Sequence, residues 1–129
     1  MTDMRYLASP LSKSFSEALR IDTDAGTWIF VSGQVGVAIP ADNKPISFEQ
    51  ETRVTFERIR ESLKKLDAGM EHIVSIKAYL TDLAPYGDFS KVRGEFFPTN
   101  PPTSSAVQVA GLLLNSRIEI DAVAFIGKK

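Results

Sequence analysis

The sequence contains no cysteine and a single histidine, His72. The lack of cysteine excludes disulfides and thiolate nucleophiles, and it fits a reducing compartment. With one histidine, multi-histidine metal sites are excluded, and a zinc site would consist mainly of carboxylates. His72 lies between a predicted helix and a predicted strand, where a surface or hydrogen-bonded histidine is a better interpretation than a catalytic one. We therefore expect no metal ion and no cofactor.

An excess of charge of one sign and long apolar runs are also lacking. Fifteen basic residues oppose sixteen acidic ones, which gives a net charge of −1. A nucleic-acid-binding domain usually carries a basic stripe, so this balance argues against such a partner. No apolar run approaches the roughly 20 residues of a membrane helix, and Met1 to Pro10 lacks the apolar core of a secretory signal. We expect a soluble, cytoplasmic protein that binds neither nucleic acid nor membrane.

The 129 residues are predicted to form one domain, 1–129, without repeats or a linker. Its strands are predicted from β-branched and aromatic residues or from alternation of apolar and polar side chains. Asp42-Asn43 and two prolines predict a loop that reaches Pro45. The predicted strands cover Met4 to Ala8, Glu17 to Ile21, Thr27 to Val31 (ending at Ser32-Gly33), Ile73 to Leu80, Thr103 to Val109 and Arg117 to Phe125.

Two helices are predicted between these strands. Ser47 and Gln50 form a capping-box pattern at the start of the first helix, and Gly69 is predicted to close it. The second helix has Pro85 near its first turn. The apolar stripe of the first helix is Thr52, Phe56, Ile59, Leu63 and Leu66, and that of the second is Phe89, Val92 and Phe96.

The resulting order, β-β-β-α-β-α-β-β, predicts an α+β fold: a two-layer sandwich with a mixed β-sheet and two helices on one face. The opposite sheet face then meets solvent or another subunit. In the last strand, Ile118, Ile120, Ala122 and Ala124 point one way, and Arg117, Glu119, Asp121 and Val123 point the other. The sequence alone leaves open which row faces the helices.

An ordered set of short segments is spread over nearly the whole chain. The segments are Phe15-Ser16-Glu17-Ala18, Phe30-Val31-Ser32-Gly33-Gln34, Tyr79-Leu80-Thr81-Asp82-Leu83, Phe96-Phe97, Asn100-Pro101-Pro102, Val107-Gln108-Val109 and Ile118-Glu119-Ile120-Asp121-Ala122. Together they resemble the Rid (YjgF-type) family of small trimeric proteins, and the ordered set is more specific than any one piece.

This resemblance implies a chorismate-mutase-like α+β fold and a homotrimer with small-molecule ligands in clefts between subunits. It also implies enamine/imine deaminase activity. In the family's deaminases a glutamate positions the attacking water, an arginine pairs with the substrate carboxylate, and a Ser-Gly segment adds backbone contacts. A tyrosine and a helix asparagine line the cleft.

Carried onto this chain, the resemblance gives Glu119 as the catalytic carboxylate. The arginine position is occupied by Ser104, which cannot offer a bidentate grip to a carboxylate. The substrate-binding positions of the family fall on Phe15, Ser32, Gly33, Ser90 and Ser104.

Each position has an alternative interpretation. Glu119 can be an exposed charge on a strand, and Ser32-Gly33 can simply end one. Ser104 can be an ordinary strand residue in a site that has lost its role.

Arg93 is a candidate replacement for the missing cation, because it follows Phe89 by four residues and lies along the apolar side of its helix. The family often has an aromatic residue there. The alternative is an arginine whose stem is packed and whose head lies in water. Arg117 is a second, weaker candidate.

Two functions therefore compete. The first is hydrolytic deamination of a small reactive imine or enamine, or a related addition of water, with altered substrate specificity and Glu119 as general acid/base. The second is a trimer that binds a metabolite without turning it over. A ribonuclease or translation inhibitor is a distant third, since the chain lacks an aromatic and basic patch.

Overall fold

The computed structural model describes residues 2–36 and 45–128. Within them, six strands and two helices follow the predicted order, and the strands form one mixed sheet in the order β1-β2-β3-β6-β4-β5. β4 and β5 are parallel, and the other neighbouring pairs are antiparallel. The predicted α+β class is confirmed; Asp42-Asn43 of the predicted loop lies outside the described residues. The elements are β1 (Asp3–Ala8), β2 (Ser16–Thr23), β3 (Gly26–Val35), α1 (Phe48–Lys65), β4 (Ile73–Leu80), α2 (Tyr86–Phe96), β5 (Thr103–Gln108) and β6 (Ile118–Gly127).

Helix α1 forms where its cap and its apolar stripe predict it. The Ser47 hydroxyl accepts a hydrogen bond from the Gln50 N–H over 3.0 Å, which is one half of the predicted capping box. Phe56, Ile59 and Leu63 of the stripe are fully buried. The prediction that Gly69 closes the helix is wrong: the chain turns at Asp67, whose φ of 60° is one that an aspartate tolerates.

Burial shows which row of β6 side chains faces the helices, a point that the sequence left open. Ile118, Ile120, Ala122 and Ala124 are at most 1% exposed and pack beneath the helices. Glu119, Asp121 and Val123 therefore lie on the opposite face of the sheet, which we call the open face. The acidic pair of β6 is thus presented where no helix covers it.

Aromatic packing and an ion pair fix α2 against α1. The ring of Phe56 lies 6.4 Å from that of Phe89 and 5.0 Å from that of Phe96, centroid to centroid. Arg53 Nη2 of α1 lies 2.7 Å from Glu95 Oε2 of α2. These contacts hold the polar side of α2 beside strand β5, which is an edge of the sheet.

Candidate functional site

Ser32 and Gly33 form a β-bulge within β3. Val31 pairs with Ala122 and Gln34 pairs with Ile120, so two residues of β3 oppose Asp121 alone. The Ser32 hydroxyl donates to the Ser16 carbonyl oxygen over 2.7 Å, which fixes the bulge against β2. The prediction that the strand ends here is wrong, because pairing with β6 continues to Val35.

The Glu119 side chain lies directly against the Gly33 backbone. A Cβ placed on Gly33 would come within 2.5 Å of Glu119 Oε2, so any larger residue there would displace the carboxyl group from this position. Glu119 is half-buried. Its burial, and secondarily the negative charge of Asp121, raise the pKa of the Glu119 carboxyl above its ordinary value. Such a carboxyl is better suited to proton transfer than an exposed one.

Asp121 is tied to the neighbouring strand. The Tyr79 hydroxyl of β4 donates to Asp121 Oδ2 over 3.1 Å. Burial and this negative neighbour raise the pKa of Tyr79, so its proton stays on the hydroxyl. Tyr79 also pairs with Glu119 in the ladder. Glu119, Asp121 and Tyr79 form an acidic patch on the open face, in which the last two are hydrogen-bonded to each other.

Replacing Asp121 with asparagine should lower the pKa of Glu119, because one of the two causes of its elevation disappears while burial remains. The sign follows from charge: removing a nearby anion makes ionisation of Glu119 easier. A carbon-detected NMR titration of the Glu119 carboxyl measures the shift. Asp88→Asn on exposed α2 is the control and should leave the Glu119 titration in place. An unchanged titration in Asp121→Asn would contradict the electrostatic assignment.

A second group of polar side chains surrounds Arg93 on α2. Arg93 Nη1 donates to Ser104 Oγ over 3.0 Å and to the Tyr86 hydroxyl over 3.3 Å. Arg93 Nη2 donates to Ser90 Oγ over 3.1 Å. The guanidinium carbon lies 4.9 Å from the centre of the Phe89 ring. The guanidinium is therefore held by three hydroxyls at a partly exposed position.

The partners of Arg93 distinguish it from most other arginines. Among the residues that the structure describes, no carboxylate lies within ion-pair distance of its guanidinium, so its charge is not neutralised. A guanidinium held by neutral hydroxyls on an aromatic face is an arrangement that can accept a carboxylate or phosphate. The arginines paired with carboxylates are Arg5, Arg20, Arg53, Arg60 and Arg117.

Arg117 has a structural role instead. It precedes β6 and turns towards α1, so its predicted place on the outward row is wrong. Its Nε lies 2.6 Å from Glu51 Oε1, its backbone N–H donates to Glu51 Oε2 over 2.8 Å, and its Nη2 donates to the Ile46 carbonyl over 2.7 Å. Glu51 is fully buried. A guanidinium committed in this way is not available to a ligand.

Phe15 lies in the loop that joins β1 to β2 and is 48% exposed. It borders a cavity that Gly33 also lines. Phe15, Ser32, Gly33 and Glu119 thus belong to one region. Ser90, Arg93 and Ser104 form the other.

These two regions lie on opposite faces of the sheet. Ser104 pairs with Ile76, which is buried under the helices, so Ser104 points to the helix side. Glu119 points to the open side, next to Tyr79. One copy of the chain therefore does not close both regions around a single small ligand.

Sequence reasoning overlooked three side chains of these regions. Tyr86 precedes Arg93 by seven residues, so helical periodicity places both on one face and could have revealed the contact. Tyr79 and Asp121 alternate with buried neighbours, which predicts their common outward direction. Their hydrogen bond depends on strand order, which the pattern does not give.

Two further observations concern metals and membranes. Within residues 2–36 and 45–128, no group of three histidine, cysteine or acidic side chains converges as metal ligands would. His72 accepts a hydrogen bond at Nδ1 from the Gly69 N–H over 3.1 Å. Neither described helix has the length and apolar character needed to cross a membrane.

The fold and the half-buried carboxyl group over a glycine bulge define a class: a two-layer α+β protein with an acidic patch on the open face of its sheet. The chain belongs to the Rid family, whose model, described as "Endoribonuclease L-PSP", matches residues 8–126. The resemblance drawn from the motifs is confirmed.

Similar proteins include named deaminases. "Protein MMF1, mitochondrial" from Saccharomyces cerevisiae is 30% identical over 120 residues, 92% of this chain and 79% of its own. The crystal structure of yeast Mmf1 superimposes with a TM-score of 0.78 at 25% identity, covering 98% of this chain and all of that one. "Reactive Intermediate Deaminase A, chloroplastic" from Arabidopsis thaliana is 32% identical over 112 residues, 85% of this chain and 57% of its own.

One solved relative contains a ligand. The crystal structure of Escherichia coli TdcF with bound serine matches with a TM-score of 0.73 at 24% identity, covering 89% of this chain and 88% of that one. At this identity the likeness concerns the fold.

Proposed function

We propose that this protein is a divergent Rid-family hydrolase that converts a small imine or enamine to its carbonyl compound and ammonia. The observation that carries the proposal is the half-buried Glu119 carboxyl lying against the Gly33 backbone, with a raised pKa. The relatives named as reactive intermediate deaminases support the same chemistry. We propose that residues 1–129 act as one domain, in the cytoplasm.

The reaction adds one water across a C=N bond. Glu119 removes a proton from water as the oxygen bonds to the imine carbon, and the C=N electron pair moves to nitrogen, which receives that proton. In the resulting carbinolamine, the same carboxyl moves the hydroxyl proton to nitrogen. The C–N bond breaks, ammonia leaves and the carbonyl forms. An enamine enters as its imine tautomer. Positioned acid–base catalysis of this kind contributes about 10²–10⁴-fold, enough for an already reactive substrate.

Arg93 replaces the family's carboxylate-binding arginine in this proposal. Its guanidinium reaches Ser104, the position at which the family carries that arginine, and it has no carboxylate partner among the described residues. The Ser90 and Tyr86 hydroxyls orient it. A charge-assisted pair with the substrate carboxylate would form there.

The complete site then requires more than one copy of the chain. The proposed homotrimer brings the Arg93 region of one copy to the Glu119 region of the next, in a cleft between subunits. Apolar exposure on the open face supports association, since large exposed apolar patches mark interaction surfaces. The exposed residues on β1 and β3 are Met4, Tyr6, Trp28 and Phe30.

A coupled trapping assay tests the proposal. An amino-acid oxidase generates imines from a panel of acidic, neutral and basic amino acids, and semicarbazide traps those that survive. The protein should lower the yield of trapped imine, and Glu119→Ala should abolish that effect. No decrease for any member of the panel would contradict the deaminase function.

Arg93→Gln should weaken binding of a small carboxylate ligand by about tenfold or more, because a hydrogen-bonded ion pair is lost while the hydroxyls remain. The dissociation constant for serine or pyruvate, measured by calorimetry, is the readout. Arg60→Gln is the matched control, since Arg60 also lies over an aromatic ring but is paired with Glu57. Equal affinities in wild type and Arg93→Gln would remove Arg93 from the site.

Binding without turnover is the second candidate. Ser104 favours it, because this position loses the family's main grip on substrate while the fold is kept. The bound serine in TdcF fits a ligand-holding role as well as a catalytic one. RNA cleavage is less favoured, since the net charge of −1 gives no electrostatic attraction to a polyanion. The trapping assay separates the first two functions.

A further inference from the structure

We propose that Tyr79 is a positioning residue of the candidate site: its hydroxyl holds Asp121 away from Lys77, and the Asp121 carboxylate thereby keeps its full negative charge beside Glu119. This inference rests on the proposed function, because it concerns the carboxyl group to which that function assigns proton transfer. Tyr79 contacts neither the attacking water nor the substrate in this proposal. It acts through Asp121.

Asp121 has two possible partners on β4, and the register of the sheet places both within reach. Lys77 is directly opposite Asp121 in the ladder between β4 and β6, whereas Tyr79 is opposite Glu119 and therefore diagonal to Asp121. Directly opposite side chains begin about 5 Å apart, and an aromatic side chain still reaches a diagonal neighbour at about 7–8 Å. All four side chains project from the open face, because they alternate with buried residues along their strands.

The structure shows which of the two partners Asp121 takes. The Tyr79 hydroxyl donates to Asp121 Oδ2 over 3.1 Å. Among the ion pairs of residues 2–36 and 45–128, none joins Lys77 to Asp121, although Lys77 is the nearer of the two partners in register. Lys77 is exposed, and an ion pair with an exposed lysine contributes little, because water screens it and a long side chain must be ordered.

The choice of partner decides how much negative charge lies beside Glu119. A hydrogen bond from a neutral phenol leaves the charge of the Asp121 carboxylate in place, whereas an ion pair with Lys77 would cancel most of it. Burial, and then the hydrogen bond to Asp121, raise the pKa of Tyr79, so the phenol keeps the proton that it donates. Burial is the larger cause of the raised pKa of Glu119, and the charge of Asp121 is the second. Tyr79 therefore preserves this second contribution.

Few other charged groups face Glu119. Residues 31–35 of β3 pair with this part of β6 and include no titratable side chain. Residues 103–108 of β5, the other neighbour of β4, are all uncharged. Arg93 of the neighbouring copy is the cation that the proposed trimer would bring to this carboxyl, and it is present in every variant of the test. Within the described part of these strands, Lys77 is the cation that competes for Asp121.

A titration of the Glu119 carboxyl by carbon-detected NMR tests the proposal without turnover. In Tyr79→Phe, Asp121 loses its donor and should turn to Lys77, so the Glu119 titration should move to lower pH. The ionisation constant of Glu119 should increase about threefold, the effect of one charge in a water-like dielectric across roughly 7 Å, the spacing of alternate residues on a strand. The variant keeps the ring and loses one hydroxyl at a partly exposed position, so the sheet should be retained.

Variants of Lys77 separate this role from a structural one. Lys77→Met alone is the control and should leave the Glu119 titration in place, because the lysine forms no ion pair with Asp121 in the wild type. The double variant Tyr79→Phe/Lys77→Met should restore the wild-type titration, since Asp121 then has no cation to turn to. A tyrosine that only packed against its neighbours would not be rescued by the loss of a lysine.

The pH profile of imine hydrolysis gives a second readout. Activity should fall on the acidic limb of this profile, where Glu119 becomes protonated. A lower pKa of Glu119 in Tyr79→Phe keeps the carboxylate form to lower pH, so the acidic limb should move to lower pH. It should return to its wild-type position in the double variant.

An unchanged Glu119 titration in Tyr79→Phe would overturn the role of Tyr79. A shift that the double variant keeps, or an equal shift in Lys77→Met alone, would overturn it as well. Turnover with the same acidic limb in wild type and Tyr79→Phe would also overturn it and leave the deaminase function standing. The expected titrations without turnover of any imine would support the role of Tyr79 and sink the deaminase function.

Discussion

Glu119→Gln should lower kcat for imine hydrolysis by about 10²–10⁴-fold, because the amide keeps the shape of the carboxyl but does not accept a proton from water. Glutamine fits beside Gly33 as glutamate does, so binding of a 2-oxo acid should change far less than kcat. In the wild type, activity should fall as pH drops through the raised pKa of Glu119, since the protonated form is no longer a base. In Glu119→Gln, the pH–activity profile should no longer show this fall at acidic pH.

The control for this prediction is Glu71→Gln. Glu71 also lies over a glycine, since a Cβ on Gly69 would come within 2.5 Å of its Oε2, but its side chain is 74% exposed. It should keep wild-type kcat and the acidic limb. A kcat in Glu119→Gln within about threefold of wild type would exclude the carboxyl from the chemistry, leaving binding as the function.

Glu51→Ala should lower the free energy of unfolding by about 3–5 kcal/mol, the usual cost of removing one partner from a buried ion pair. Without Glu51, the Arg117 backbone N–H loses its acceptor, while the Arg117 guanidinium keeps its hydrogen bond to the Ile46 carbonyl. The value should lie towards the lower end, because the Arg117 side chain is 40% exposed and water reaches it. Urea unfolding with an unchanged slope is the measurement.

A double-mutant cycle with Arg117→Met isolates the interaction, and Glu57→Ala is the control. Glu57 forms a 2.6 Å ion pair with Arg60 on the surface, so its removal should leave the unfolding midpoint nearly unchanged. If Arg117→Met instead weakened ligand binding without lowering stability, Arg117 would belong to the binding site and its structural role would be wrong.

The fold was largely accessible from the sequence because its patterns are local. Phe56, Ile59 and Leu63 recur at helical spacing, and the alternation from Ile118 to Ala124 defines a strand without reference to the rest of the chain. The resemblance to the Rid family added what such patterns do not contain, namely which strands form one sheet with which helices.

The site was accessible only in part, because its geometry depends on contacts distant in sequence. Glu119 could be named, but its closeness to Gly33 follows from a bulge whose register the sequence does not specify. Arg93 and Arg117 look alike as candidate cations. The ion pair between Arg117 and Glu51, 66 residues apart in the chain, is what gives Arg117 a structural role.

The bulge in β3 separates two roles of this strand, pairing with β6 and contact with the Glu119 side chain. From Val31 to Gln34 the strand advances three residues, while β6 advances two, from Ala122 to Ile120. The ladder on either side would be paired just as well by a chain one residue shorter. The surplus residue is therefore not needed for pairing with β6: without it the sheet could keep its strand order, but the backbone surface against which Glu119 rests would be lost.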